Sequence, residues 1–172
     1  MGVLIVFMLA VPRVSAALLL TQKEALALAF GAGETVERKT AYLTEEQVKK
    51  AETEGQVKIP SRVWSYYVGT SSAGVAGYAY FETHVVKTVT ETFMAVLEPD
   101  GRVRAIELLA FAEPPDFKPG KRWLAQFKGK SSRDALWVGR AIRNITGASL
   151  TSQAMTDAVR RILAIHGLVR QP

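Results

Sequence analysis

The sequence predicts an α+β domain in which an antiparallel meander of strands is flanked by helices. Three observations carry this. Apolar residues recur at helical spacing early in the chain and again near its end. Between these stretches, from Val57 to Ala112, the pattern switches to β-branched, aromatic and alternating residues. Within that region Glu98-Pro99-Asp100-Gly101 is a turn sequence that folds one strand back on the next. Runs of strands beside helices, with no βαβ alternation, indicate a segregated α+β architecture. A length of 172 residues, 48% of them apolar and 22% charged, suits one domain with a substantial core.

Residues 1–16 form a nearly unbroken apolar run that closes on Val14-Ser15-Ala16. Small residues at that point fit a secretory cleavage site, although no Lys or Arg precedes the run and Arg13 lies on its far side. The run is shorter than the about 20 residues that span a bilayer. We therefore expect export and removal of 1–16, then a helical segment over 17–56, then the main core over 57–172.

Residues 21–55 read as two helices. Gln22 to Phe30 carries Ala25, Leu26, Leu28 and Ala29 on an apolar face, and Gly31-Ala32-Gly33 ends it. Thr44-Glu45-Glu46-Gln47 is a capping-box pattern, and Gly55 is expected to close the helix that it starts. The predicted strands are Val63–Val68, Gly74–Phe81, Val85–Leu97 and Arg102–Phe111. Trp123 and Phe127, four apart, read as a helix-packing pair. Trp137-Val138 reads as a short buried strand.

The chain turns on Ile145-Thr146-Gly147-Ala148-Ser149-Leu150-Thr151 and the helix after it. Ala154/Met155, Ala158/Val159 and Ile162/Leu163 repeat at helical spacing, with Gly167 as the expected stop. A hydroxyl-rich loop opening a helix has two readings. Ser149 or Thr151 caps the helix by accepting from a free N–H, or the free N–H groups and the positive dipole end seat an anion such as phosphate.

Composition excludes several functions. With no cysteine there is no disulfide, thiolate metal site, thiol nucleophile or cysteine-linked lipid. Only His84 and His166 are present, so a histidine-rich metal site is not expected. The net charge of +6 is dispersed, and no nucleic-acid recognition motif accompanies it. A surface that docks redox partners suits it better. No nucleophile–base set or acid–base pair is apparent, so no catalytic residue is assigned.

Thr146-Gly147-Ala148-Ser149-Leu150-Thr151 resembles the [Ser/Thr]-Gly-Ala-[Ser/Thr]-x-Thr signature of the FMN-binding domain family. That family includes the flavin-carrying small subunits of Rnf-type electron-transport complexes and of the sodium-translocating NADH:quinone reductase. The resemblance covers roughly the second half of the chain. The strand–Asp-Gly–strand hairpin and Gln126-Phe127-Lys128-Gly129-Lys130 match the family as well. It implies FMN held covalently, through a phosphoester that a separate flavin transferase makes. Ser149 is the preferred attachment residue and Thr151 the second candidate. Thr146 and the backbone of Gly147, Ala148, Ser149 and Leu150 would cradle the phosphate. Glu113, in Glu113-Pro114-Pro115-Asp116, stands where relatives often have Glu-Thr-Pro-Gly beside the flavin ring, with Pro114 and Asp116 as departures. Arg143 stands where many flavinylated members have Asp, and can assist the phosphate by charge-assisted hydrogen bonds.

The expected function is an exported, periplasmic or extracytoplasmic electron carrier. It would work with redox partner proteins, a membrane electron-transport complex being one setting. The alternatives are an interaction subunit of the same fold without flavin, and an enzyme using flavin on a substrate of its own.

Overall fold

The computed structural model describes residues 17–170. The segment read as an export signal lies outside the described residues. Six strands form one open antiparallel sheet: β1 (Ala17–Leu18), β2 (Thr35–Tyr42), β3 (Val63–Ser71), β4 (Gly74–Val86), β5 (Val89–Leu97) and β6 (Val103–Phe111). Their order is β1-β6-β5-β4-β3-β2. Four helices accompany them: α1 (Gln22–Ala29), α2 (Glu45–Gly55), α3 (Lys121–Leu124) and α4 (Ser149–Val169). Among the described residues no helix is long and apolar enough to cross a membrane.

The central strand β5 shows why the sheet is covered on both sides. Phe93, Ala95 and Leu97 point to one face and Met94 and Val96 to the other, and all five are buried. The first face packs against Met155, Ala158, Val159 and Ile162 of α4. The second packs against Ala25 of α1 and Phe30 just after it. Full burial of a side chain such as Phe93 contributes about 1.5–3 kcal/mol. α2 lies against the C-terminal half of α4, where Ala51, Ile59, Trp64, Ala164 and Ile165 form a third cluster.

Polar contacts fix α4 along its length. Arg161 Nε donates to Glu82 Oε1 of β4 at 3.0 Å. Arg160 donates to the carbonyls of Gly55 and Gln56 and to Asp157, and its guanidinium lies 3.7 Å above the Trp137 ring. Near the far end, the Tyr80 hydroxyl and His166 Nδ1 are 2.9 Å apart. Burial pushes the Glu82 carboxyl above the usual carboxylate range, against the pull of Arg161. Burial also pushes the His166 imidazole down to about 4.

Four local expectations are corrected. Residues 17–56 are not wholly helical, because β2 lies between α1 and α2. β2 is an edge strand whose residues are mostly exposed, so its sequence lacks a clear apolar alternation. The expected strand Val85–Leu97 is two strands, with a hairpin turn at Lys87-Thr88 and Val86 paired to Val89. Lys87 takes a φ of 55°, so the turn forms without the Gly, Asn or Asp that usually marks one. Trp137-Val138 is not a strand: Val138 makes a single bridge to Ile142 within a turn. Gly167 does not stop α4, which runs on to Val169 because Leu168 and Val169 pack into the α2 cluster. That packing offsets the about 1 kcal/mol that a helical glycine costs.

The capping box at Thr44 forms with Gln47, and Thr21 forms another with Glu24. α2 includes Gly55, and the left-handed cap position falls on Gln56. Trp123 and Phe127 do meet, edge to face at 5.4 Å. They do so across the end of α3 and a 3-10 turn over Ala125–Phe127.

Candidate functional site

The loop before α4 is held by its own backbone and by three side chains. Ala148 N–H donates to the Ile145 carbonyl at 3.0 Å. Ser152 Oγ accepts from Ile145 N–H at 2.9 Å and donates to the Ala148 carbonyl. Trp123 Nε1 donates to the Arg143 carbonyl at 2.6 Å, and Arg143 N–H donates to Gln126 Oε1 at 2.8 Å. The tryptophan-to-lysine segment therefore props the loop from outside. Gly147 turns the chain with a φ of +81°, a conformation that side chains rarely adopt.

Neither hydroxyl caps the helix. The cap position is Ala148, and no side chain bonds the first-turn N–H groups there. Ser149, Leu150 and Thr151 are the first three helical residues, so their N–H groups have no carbonyl one turn back to reach. The capping reading is thus corrected: Thr151, on the third helical position, faces inward, and Ser149 already lies inside the helix.

The signature residues divide by exposure. Thr146, Gly147, Ser149 and Leu150 are exposed, while Ala148 and Thr151 are buried. Ser149 Oγ accepts from Asn144 Nδ2 at 2.7 Å and faces solvent. Thr151, with no exposed surface, donates from Oγ1 to Glu113 Oε1 at 2.5 Å. Arg143 is exposed beside the loop.

A groove of about 480 Å³ opens next to this loop. Its walls are Val89, Ala112, Pro114, Pro115 and Phe117, with Lys87 and Glu113 as the charged groups. It is mostly apolar, and its size is that of a small-molecule site. Two of its residues also touch the signature: Glu113 bonds Thr151, and Phe117 is the atom group nearest to the position a Gly147 Cβ would take, at 3.7 Å. The departures at Pro114 and Asp116 lie in the short 3-10 turn Pro115–Phe117 and its entry. That turn aims Phe117 at the loop.

Beneath the groove is a polar cluster that the sequence did not announce. His84 of β4 and Glu91 of β5 are cross-strand partners. Their side chains are nearly sealed, with His84 Nε2 3.2 Å from Glu91 Oε2. Glu91 Oε1 and His84 Nδ1 are buried and meet no hydrogen-bond partner among the described residues. Burial pushes the Glu91 carboxyl above the usual range; the His84 bond opposes this and Glu113 adds to it.

Compared with known families, residues 86–164 match the model of the FMN-binding domain. Over residues 86–164 the chain is similar to an FMN-binding domain. The match runs from the end of β4 through β5, β6 and the groove loop to most of α4, so it contains the signature loop and the groove but not His84. No curated protein and no solved structure matches the chain.

The residues of this segment fit the cofactor. A phosphate suits the unbonded N–H groups and the positive end of the 21-residue α4. The apolar groove suits a flat aromatic ring system. A bound flavin supplies one- and two-electron transfer, and the protein supplies its position and surroundings.

Proposed function

We propose that this protein is an exported electron carrier whose FMN is attached through a phosphoester to Ser149 Oγ. The observation that carries the reading is one exposed hydroxyl on the first residue of an uncapped helix, beside an apolar groove that shares Glu113 and Phe117 with the signature loop. Thr146 and the N–H groups of Gly147, Ser149 and Leu150 hold the phosphate. Arg143 and the dipole of α4 neutralise its charge. Glu113, Phe117 and Lys87 border the ring. A separate flavin transferase makes the ester, and redox partner proteins, such as those of a membrane electron-transport complex, deliver and accept the electrons. A covalent anchor suits a protein outside the cytoplasm, where a dissociated flavin is lost by dilution.

Coexpression with a flavin transferase tests this. The product is expected to be yellow after denaturation and heavier by one FMN less a water. Export is tested by the N-terminus of the mature protein, which should begin after residue 16. A second reading, an interaction subunit of the same fold without flavin, is favoured by Arg143 in the place of the usual Asp and by Pro114 and Asp116 in the groove loop. A colourless, unmodified product would decide for it.

A further inference from the structure

We propose that Glu91 takes up a proton when the flavin is reduced, with Glu113 carrying the electrostatic coupling between the two. This rests on FMN occupying the groove beside α4. Glu91 has no exposed surface, and among the described residues Oε1 meets no donor; the neighbouring Glu113 carboxyl can bond Glu91 only when one of the two holds a proton. A carboxylate with a free buried oxygen is costly, and binding a proton is the usual relief. The groups around it are few. From β4 comes His84, on Oε2, and two residues back Glu82, which is occupied by Arg161 of α4. From the loop after β6 comes Glu113, and from α4 Thr151, whose hydroxyl is already given to Glu113. Among these, no cation other than a protonated His84 reaches Glu91. Burial and, less strongly, Glu113 favour the protonated form of Glu91, while the His84 bond favours the ionised form and leaves a proton to be taken up when a further negative charge arrives.

Glu113 is the link because it belongs to both places. It lines the groove, and it bonds the signature through Thr151. Two-electron reduction, by a reduced partner protein, of a flavin held there would bring one proton and one net negative charge into the groove. A negative charge in the groove that Glu113 lines would raise the proton affinity of the carboxyls beside it. Glu91 then takes a proton from solvent, so two electrons and two protons enter and the domain's charge is unchanged. By linkage, protonation of Glu91 favours the reduced flavin to the same degree.

The test is redox-difference infrared spectroscopy on the flavinylated protein, reduced electrochemically. The wild type is expected to gain a protonated-carboxyl C=O band on reduction. The band should shift in D2O and vanish in Glu91→Gln. Should Glu91→Gln fail to fold, Glu91→Asp is expected to move the band; an unmoved band would overturn the proposal. Carbon-13 NMR of the protein made without transferase supplies a flavin-free readout. There the Glu91 carboxyl should titrate above the usual glutamate range, and titration within that range would overturn the proposal. A yellow wild type with no such band, or with a band that persists in Glu91→Gln, also overturns it while leaving the flavin assignment intact. A colourless product instead overturns the flavin assignment, and the proton coupling with it.

Discussion

Ser149 and Thr151 are two residues apart and chemically alike, yet their surroundings predict opposite phenotypes. The perturbation is a pair of single substitutions, Ser149→Ala and Thr151→Val, each coexpressed with a flavin transferase. Ser149 is exposed and gives up only a surface bond from Asn144 Nδ2. Its loss should change stability by less than about 0.5 kcal/mol. Thr151 is fully buried and is the donor to Glu113 Oε1 at 2.5 Å. Valine keeps the volume but removes the donor, which costs about 1–3 kcal/mol. For a domain of this size, each kcal/mol lowers the melting temperature by about 2–4 °C. The expected outcome is therefore a Ser149→Ala protein of unchanged melting temperature that carries no flavin. The Thr151→Val protein should melt several degrees lower and still be yellow. Intact mass and thermal denaturation on the same samples provide both readings. A flavinylated Ser149→Ala together with an unmodified Thr151→Val would place the ester on the buried hydroxyl and refute the argument from exposure.

Three further outcomes follow from the fold. His166 is buried and held down to about 4, against 6.5 for a free imidazole. Its contribution to stability is complete above about pH 6.5 and is lost as pH falls through 4, an amount of about 3 kcal/mol. Urea denaturation should show this drop in the wild type relative to His166→Leu, a comparison in which the opposite trends of Glu82 and Glu91 cancel. Gly101 has a φ of +87°, and a Cβ there would lie 3.2 Å from His166 Cδ2. Gly101→Ala should cost about 1–3 kcal/mol by equilibrium unfolding. Arg160→Lys keeps the charge but not the fork that reaches the Gly55 and Gln56 carbonyls together. Its expected cost is about 2–3 kcal/mol, read in the same way.

The sheet-and-helix plan was legible because its strongest signals are local. The Asp100-Gly101 turn, the capping box at Thr44 and the apolar stripe of α4 each specify one element through adjacent residues. β2 escaped because Glu37, Arg38 and Lys39 sit at an exposed edge, where no face needs to be apolar. The site was half legible for a related reason. Its loop is one contiguous motif, and so it was found. Glu91 and His84 become neighbours only if the chain turns at Lys87-Thr88, and a strand read straight through 85–97 separates them. The Thr151–Glu113 bond joins residues 38 apart in sequence, a distance no periodicity bridges. No helical or strand spacing marks Asn144, whose amide donates to the Ser149 hydroxyl.

The outer margin of the sheet has a bearing on how this molecule tolerates crowding. β2, eight residues long and paired on one side to β3, leaves its alternate backbone donors and acceptors along an open rim, a template onto which any extended peptide could be stitched. The ion pair between Lys39 and Glu37, 3.5 Å apart on that rim, makes such an approach costly, since a newcomer must strip water from both charges. Replacing the two with threonine and valine should leave the fold intact and let two copies pair rim to rim, a change in mass that size-exclusion chromatography with light scattering would read.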